Sequence, residues 1–239
     1  MEITLKRPWF NLVMAPLWFL VLVLIFSAFY LNRGVAEDQV PVLVSEQASL
    51  ILFLAQLLML LSLIRSSRKD RFNIFSRGWT LYSSLSNELI RGLLTGAALA
   101  GLYLCLLVPL QQYLQTTLGD YVPAGETMRA LSKGSLFFFM ANVILAPFVE
   151  ESLYRNYTLT RFAERYSKSM ALSLNVVFFA LLHWTGGLWY MCICGLFVGL
   201  PFALITMHRK SLVLVYIAHL SLNTIEFIYV LKQYSPQHA

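Results

Sequence analysis

Charge is scarce in this sequence. Asp, Glu, Lys and Arg make up 13% of 239 residues, where a soluble domain carries about 25%. That shortage excludes a chain that covers itself with a charged, water-facing surface. Cysteine is almost missing. The three present, Cys105, Cys192 and Cys194, all lie in apolar runs. Cys192 and Cys194 would point about 200° apart on a helix, which is poor geometry for a disulfide or a shared metal, so they read as small apolar helix residues. No internal repeat or low-complexity tract is visible. There is no His-Glu-x-x-His of a zincin site and no Gly-x-Ser-x-Gly elbow of a serine hydrolase. The formal net charge is +6, but no basic stripe carries interleaved aromatics, so no nucleic-acid partner is expected.

What the sequence has in abundance is apolar surface. Hydrophobic residues make up 58% and the mean hydropathy is +0.66. A membrane span needs roughly 20 apolar residues, and seven stretches qualify as candidates: Trp9–Tyr30, Val42–Ile64, Leu89–Leu110, Ser135–Thr158, Met170–Trp184, Leu188–Met207 and Leu212–Leu231. The expected fold class is all-α, a polytopic transmembrane helical bundle of about seven spans. Lys6 and Arg7 before the first run resemble a signal peptide, but that run is long enough to span and no small-residue cleavage site follows. The stretch 72–86, with Phe72, Ile74, Phe75, Trp79, Leu81 and Tyr82 among polar residues, reads as an amphipathic surface helix. An eighth span or re-entrant helix there is the alternative.

The basic residues alternate by loop. With the N-terminus in the cytoplasm, 14 of the 18 fall on or toward the inside and Arg33, Arg129, Lys133 and Lys232 fall outside. The positive-inside rule then expects N-in and C-out. The polar stretch from Gln111 to Lys133 divides the chain. Residues 1–133 form an expected three-span region with the cytoplasmic amphipathic segment, and residues 134–239 an expected four-span core. The ionisable residues set into apolar helix lie nearly all in the second region, so the chemistry is expected there.

Three of its helices carry such residues. The fourth span ends in Ala146-Pro147-Phe148-Val149-Glu150-Glu151-Ser152-Leu153-Tyr154-Arg155. Adjacent glutamates diverge by about 100° on a helix and cannot share a job. Glu151 and Arg155 are four apart and form an expected charge pair. Glu150 has no basic partner on its own helix, so it is the candidate general base. A plain helix end in the headgroup region is the competing reading. On the fifth span, Asn175, Phe179 and His183 share a face, although a histidine beside Trp184 also suits an interfacial belt. On the seventh, His219 and Asn223 are four apart and well inside the apolar run. There the competing reading is a helix–helix hydrogen bond. Glu226 lies seven beyond His219 on a similar face and is assigned no role. Counted from flanking basic residues at about 1.5 Å per residue, Glu150, His183 and His219 sit roughly 17, 22 and 14 Å deep. In a core about 30 Å thick these are comparable depths.

Glu-Glu-x-x-x-Arg at Glu150, Glu151 and Arg155, Phe-x-x-x-His at Phe179 and His183, and His-x-x-x-Asn at His219 and Asn223 together resemble the CAAX protease and bacteriocin-processing family of intramembrane proteases, over roughly Ser135 to Leu231. The resemblance implies a membrane-embedded endopeptidase in which Glu150 and His183 activate water, His219 and Asn223 hold the oxyanion, and Glu151, Arg155 and Phe179 support them. The chain departs from the pattern at Asn156, where many members have glycine. A zinc ion on Glu150, His183 and His219 is the rival to a metal-free glutamic mechanism, which is preferred. The implied partners are the lipid bilayer and a membrane-anchored peptide or protein substrate, including lipidated ones and ones with a C-terminal sorting signal. Chain length and the lack of targeting segments fit a prokaryotic inner membrane. A non-catalytic binding, immunity or regulatory protein of the same fold is the alternative, and a small proton-coupled transporter comes behind it.

Overall fold

The computed structural model describes residues 4–234; residues 1–3 and 235–239, the outer ends of the two expected regions, lie outside the described residues. The chain is all-helical there, with no strand among the described residues. We number the helices α1 (Lys6–Asn32), α2 (Val40–Glu46), α3 (Ala48–Lys69), α4 (Leu85–Thr117), α5 (Glu126–Ser132), α6 (Ser135–Ala163), α7 (Lys168–Leu182), α8 (Leu188–Arg209) and α9 (Val213–Tyr234). Six of them, α1, α3, α4, α6, α8 and α9, are long and apolar enough to cross a membrane. The fifth expected span is the shorter apolar helix α7. The second expected span is broken at Gln47, which separates α2 from α3.

Helix α6 is the central post. Buried residues make up 56% of its apolar window, against 22% for α1 and for α4, so the outer helices present their apolar sides to lipid and α6 presents its own to protein. Around its lower half, Leu12, Leu63, Phe72, Tyr157, Phe162, Ala171 and Phe179 form the main core. Helix α4 lies along α9 at close range. A Cβ at Gly96 would stand 2.5 Å from the Ala218 carbonyl oxygen, so glycine sets how near the two backbones come.

Four helical stretches form a widened π turn: Tyr103–Leu107 in α4, Phe139–Leu145 and Glu151–Thr158 in α6, and Gly195–Gly199 in α8. Three have a visible cause. Pro109, Pro147 and Pro201 each stand two residues past the end of one of them. Proline lacks an N–H and clashes with the carbonyl four residues back, and that residue (Cys105, Val143 or Phe197) lies in the widened turn each time. The fourth, Glu151–Thr158, has no proline. There the Tyr154 carbonyl accepts from the Leu159 N–H and, in addition, from the Asn175 amide at 2.6 Å and the Thr158 hydroxyl at 3.0 Å.

The expected amphipathic helix over 72–86 is not formed. Residues 72–83 are turns and coil, and α4 starts at Leu85. Side chains and distant backbone take over the polar groups that helix bonds would have satisfied. Asn156 donates to the Arg77 carbonyl at 2.6 Å, the Trp79 indole donates to the Ile74 carbonyl at 2.8 Å, and Leu212 N–H donates to the Gly78 carbonyl at 2.7 Å. Phe72 and Ile74 are buried instead of lying in an interface. The departure at Asn156 thus has a structural role, fastening this loop to α6.

Several basic residues gather on one face of the bundle. Arg7 pairs with Asp70, Tyr157 and Arg161 also bond Asp70, and Arg209 pairs with Glu88. The opposite face carries the loop around Asp120 and the turn after α7.

Candidate active site

A cavity of roughly 1250 Å³, its open mouth included, runs between the helices. Glu150, Phe179, His183, His219 and Asn223 all line it, so three separate apolar helices bring their polar residues to one space. Glu151 and Arg155 stand behind the wall, both side chains fully buried.

The two adjacent glutamates have different surroundings. Glu151 Oε1 accepts from Arg155 at 3.2 Å and from His219 Nδ1 at 2.8 Å. The Arg155 guanidinium also donates to the Gly199 carbonyl at 3.3 Å and lies 4.0 Å over the Phe179 ring. This is a buried charge pair with a cation–π face, in which Glu151 Oε2 and Arg155 Nε have no hydrogen-bond partner. Glu150 is held by one oxygen only: Oε1 accepts from the Gln56 amide at 2.9 Å. Its Oε2 is buried and has no hydrogen-bond partner. The nearest imidazole nitrogen there, His219 Nε2, is 3.9 Å away, beyond direct hydrogen bonding.

Each histidine has one nitrogen fixed. His183 sits at the C-terminal end of α7, and its Nδ1 is 2.8 Å from the Phe179 carbonyl, one of the orphan acceptors of that helix end. Nδ1 therefore carries the hydrogen and Nε2 keeps its lone pair. The His219 Nδ1 hydrogen goes to Glu151, so Nε2 donates only when the ring is an imidazolium. The Asn223 amide nitrogen lies 2.7 Å from the Asn142 carbonyl and 3.3 Å from its side-chain oxygen. Asn223 thus lines the cavity while its N–H groups tie α9 to the widened turn of α6.

Among the described residues, no three His, Cys, Asp or Glu side chains are grouped so as to hold a metal ion. Of the three zinc ligands named from the sequence, His219 has Nδ1 on Glu151, and Glu150 has one oxygen on Gln56. His183 Nε2, His219 Nε2 and Glu150 Oε2 are the atoms that would face a metal, each ligand's other polar atom being held by the protein, and no catalytic step is routed through one.

The turn after His183 is clamped from the Asp120 face. Tyr121 donates to the Trp184 carbonyl at 2.6 Å, Thr127 to Thr185 at 2.5 Å and Gln115 to Gly186 at 3.2 Å. Gly187 takes φ +99°, and a Cβ there would meet the Asp120 carboxylate at 2.5 Å, so only glycine lets Asp120 reach the N-terminus of α8. Asp120 accepts from Leu188 N–H at 2.9 Å and Trp189 N–H at 3.3 Å. Partial burial alone would raise its pKa. The Leu188, Trp189 and Tyr121 N–H groups and the Gln115 amide outweigh that and hold it below the usual carboxylate value.

Residues 132–225 match the family model described as Rce1-like, Type II CAAX prenyl endopeptidase Rce1-like. Over this stretch the chain is similar to the Rce1-like family. Comparison with curated proteins and with solved structures gives no match. The Rce1-like segment contains Glu150, Glu151, Arg155, Phe179, His183, His219 and Asn223. It excludes Gln56 and Tyr103, and it stops one residue short of Glu226. Gln56 was missed from the sequence. Its signal was a carboxamide near the middle of the Val42–Ile64 apolar run, read there only as part of a lipid span. Asn142 was missed likewise.

Proposed function

We propose that this chain is a membrane-embedded endopeptidase that cleaves a peptide bond in a membrane-associated protein or peptide, with Glu150 as general base and His183 assisting. The observation that carries the reading is a free carboxylate oxygen on the cavity wall. Glu150 Oε2 is buried without a partner, on a cavity wall that also holds His183 and His219. A water bound there can give its proton to Oε2 as its oxygen adds to the scissile carbonyl carbon. The tetrahedral oxyanion then accepts from His219 in its imidazolium form, which Glu151 and Arg155 keep aimed at the cavity. Asn223, one turn further along α9, joins when its amide exchanges Asn142 for the substrate oxygen. Collapse of the intermediate breaks the C–N bond, and the proton held by Glu150 passes to the leaving amine.

Two further parts of the reading concern placement. The basic face is cytoplasmic, which the positive-inside distribution supports, and the membrane is a prokaryotic inner membrane. The substrate enters from the bilayer and carries a lipid group or a C-terminal sorting signal.

The test is cleavage of membrane-anchored peptides by the purified full-length protein in liposomes, wild type beside Glu150→Ala, with and without a chelator. Cleavage lost in Glu150→Ala and retained with chelator is expected. Cleavage that chelator stops and zinc restores would replace the glutamic mechanism by a metallo one. Cleavage unaffected by Glu150→Ala would remove Glu150 from the chemistry.

A further inference from the structure

The catalytic cavity has a second carboxylate that the proposed chemistry does not use. Glu226 is on α9, seven residues beyond His219, and lines the same cavity. Its Oε2 accepts from the Asn142 amide at 3.2 Å and its Oε1 is 3.5 Å from the Tyr190 hydroxyl. The Tyr103 hydroxyl faces it as well. These are all neutral donors, and no lysine or arginine among the described residues pairs with it. Inside a membrane bundle a carboxylate is costly unless it is paired or used. The contrast with Glu151, whose Oε1 is paired with Arg155 and His219, shows that this bundle supplies a cation where it keeps a carboxylate permanently.

Glu226 lies between two cavities. Tyr103, Thr127, Met128, Tyr190 and Glu226 line both the catalytic cavity and a smaller one of roughly 480 Å³ beneath the Asp120 face. A chain leaving the catalytic end toward that face passes Glu226. Seven helical residues rise about 10 Å and return to nearly the same face, a length an extended peptide covers in about three residues. The rest of the cavity wall is largely Leu, Phe, Ala and Met, which offers a basic side chain no other anionic partner on that path.

We propose that Glu226 is a substrate subsite for a basic side chain, lysine or arginine, about three residues from the scissile bond on the side of the peptide that leads to the Asp120 face. The proposal rests on the peptidase reading above. The cation would complete the carboxylate, with Tyr103, Tyr190 and Asn142 holding its oxygens in place. One charge-assisted contact of this kind is worth about a tenfold preference.

The experiment uses the full-length protein in liposomes and a membrane-anchored peptide library randomised on both sides of a fixed apolar segment, with products sequenced by mass spectrometry. Wild type is compared with Glu226→Gln, Glu226→Lys and Glu150→Ala. The readout is the ratio of products with a basic residue to products with a neutral one at each position, which loss of folded protein does not move. Lysine and arginine enriched about tenfold at one position, about three residues to one side of the cut, are expected in wild type. In Glu226→Gln the ratio falls to near one, and in Glu226→Lys acidic residues replace basic ones. Glu150-dependent cleavage with no basic preference in wild type would overturn the subsite and leave the peptidase reading standing. So would a preference that survives Glu226→Gln. Absence of Glu150-dependent cleavage from every library would overturn both.

Discussion

The stretch before residue 132 and the stretch after it wall one cavity with different chemistry. After residue 132, the wall carries ionisable groups, Glu150, His183, His219 and Glu226, among apolar side chains, with Glu151 and Arg155 behind it. Before it, the wall is mostly Ala15, Pro16, Leu52, Ala55, Met59 and Leu99, with Gln56 as its polar contribution near the catalytic end. Gln56 donates to one Glu150 oxygen and thereby decides which oxygen stays free. The difference teaches that the first region acts on the site by constraint. It supplies apolar wall and orients a group it does not contain.

The comparison breaks at its strongest point if the second region does not carry the reaction. Glu150→Ala is expected to lower peptide cleavage by about 10³-fold or more, the upper range for loss of a general base, measured as single-turnover rate in liposomes. Arg155→Leu leaves Glu151 buried against His219 alone. It is expected to destabilise the bundle by about 3–5 kcal/mol, read from denaturant unfolding in detergent. His219→Ala should cost about 10² to 10³ in kcat. Asn223→Ala should cost nearer tenfold, because its amide is already engaged by Asn142; equal losses would reverse that ranking. Gln56→Leu sharpens the comparison from the other side. It is expected to lower kcat about tenfold with KM little changed, and Gln56→Asn should recover part of it. An unchanged kcat would reduce the first region to a wall.

The smallest effect is at the Asp120 face. Its carboxyl is held below its ordinary value by the N–H groups around it. Such a group stabilises the fold above its unfolded pKa of about 3.9, and that stability is lost as pH falls through the lower folded value. Asp120→Asn should therefore be less stable than wild type at neutral pH and converge with it in acid. A constant gap across the pH range would mean that Asp120 acts through shape alone.

What the sequence disclosed divides along the same line. Spans were legible because little besides a bilayer calls for apolar runs of membrane length, and each of the seven expected stretches contains helix. Glu150, His183 and His219 could be singled out because ionisable groups in such runs demand a reason, and all three line one cavity. Gln56 was not, because an uncharged amide in a long apolar run is cheap enough to pass as background, and its partner lies 94 residues away in the chain. The loop at 72–83 was misread because apolar spacing is shared by surface helices and by loops pinned from outside. Its conformation depends on Asn156, Trp79 and Leu212, and no local pattern announces the hydrogen bonds they make. The proline-led π turns could have been suspected at Pro109, Pro147 and Pro201; the one at Glu151–Thr158 could not.

That last turn has a consequence for how the chain tolerates change. A π turn holds one residue more than a regular helix needs, which amounts to a phase slip of about 100° between the helical segments on its two sides. Glu150 stands just ahead of the slip, and Leu159–Ala163, with Phe162 in the core, stands behind it. Removing any one residue between Ser152 and Thr158 would let the helix close up regularly while turning the two segments against each other, so that Glu150 and Phe162 could not both keep their places. The orientation of the site is thus written partly as a residue count, and a one-residue deletion in this turn should be harsher than most substitutions within it.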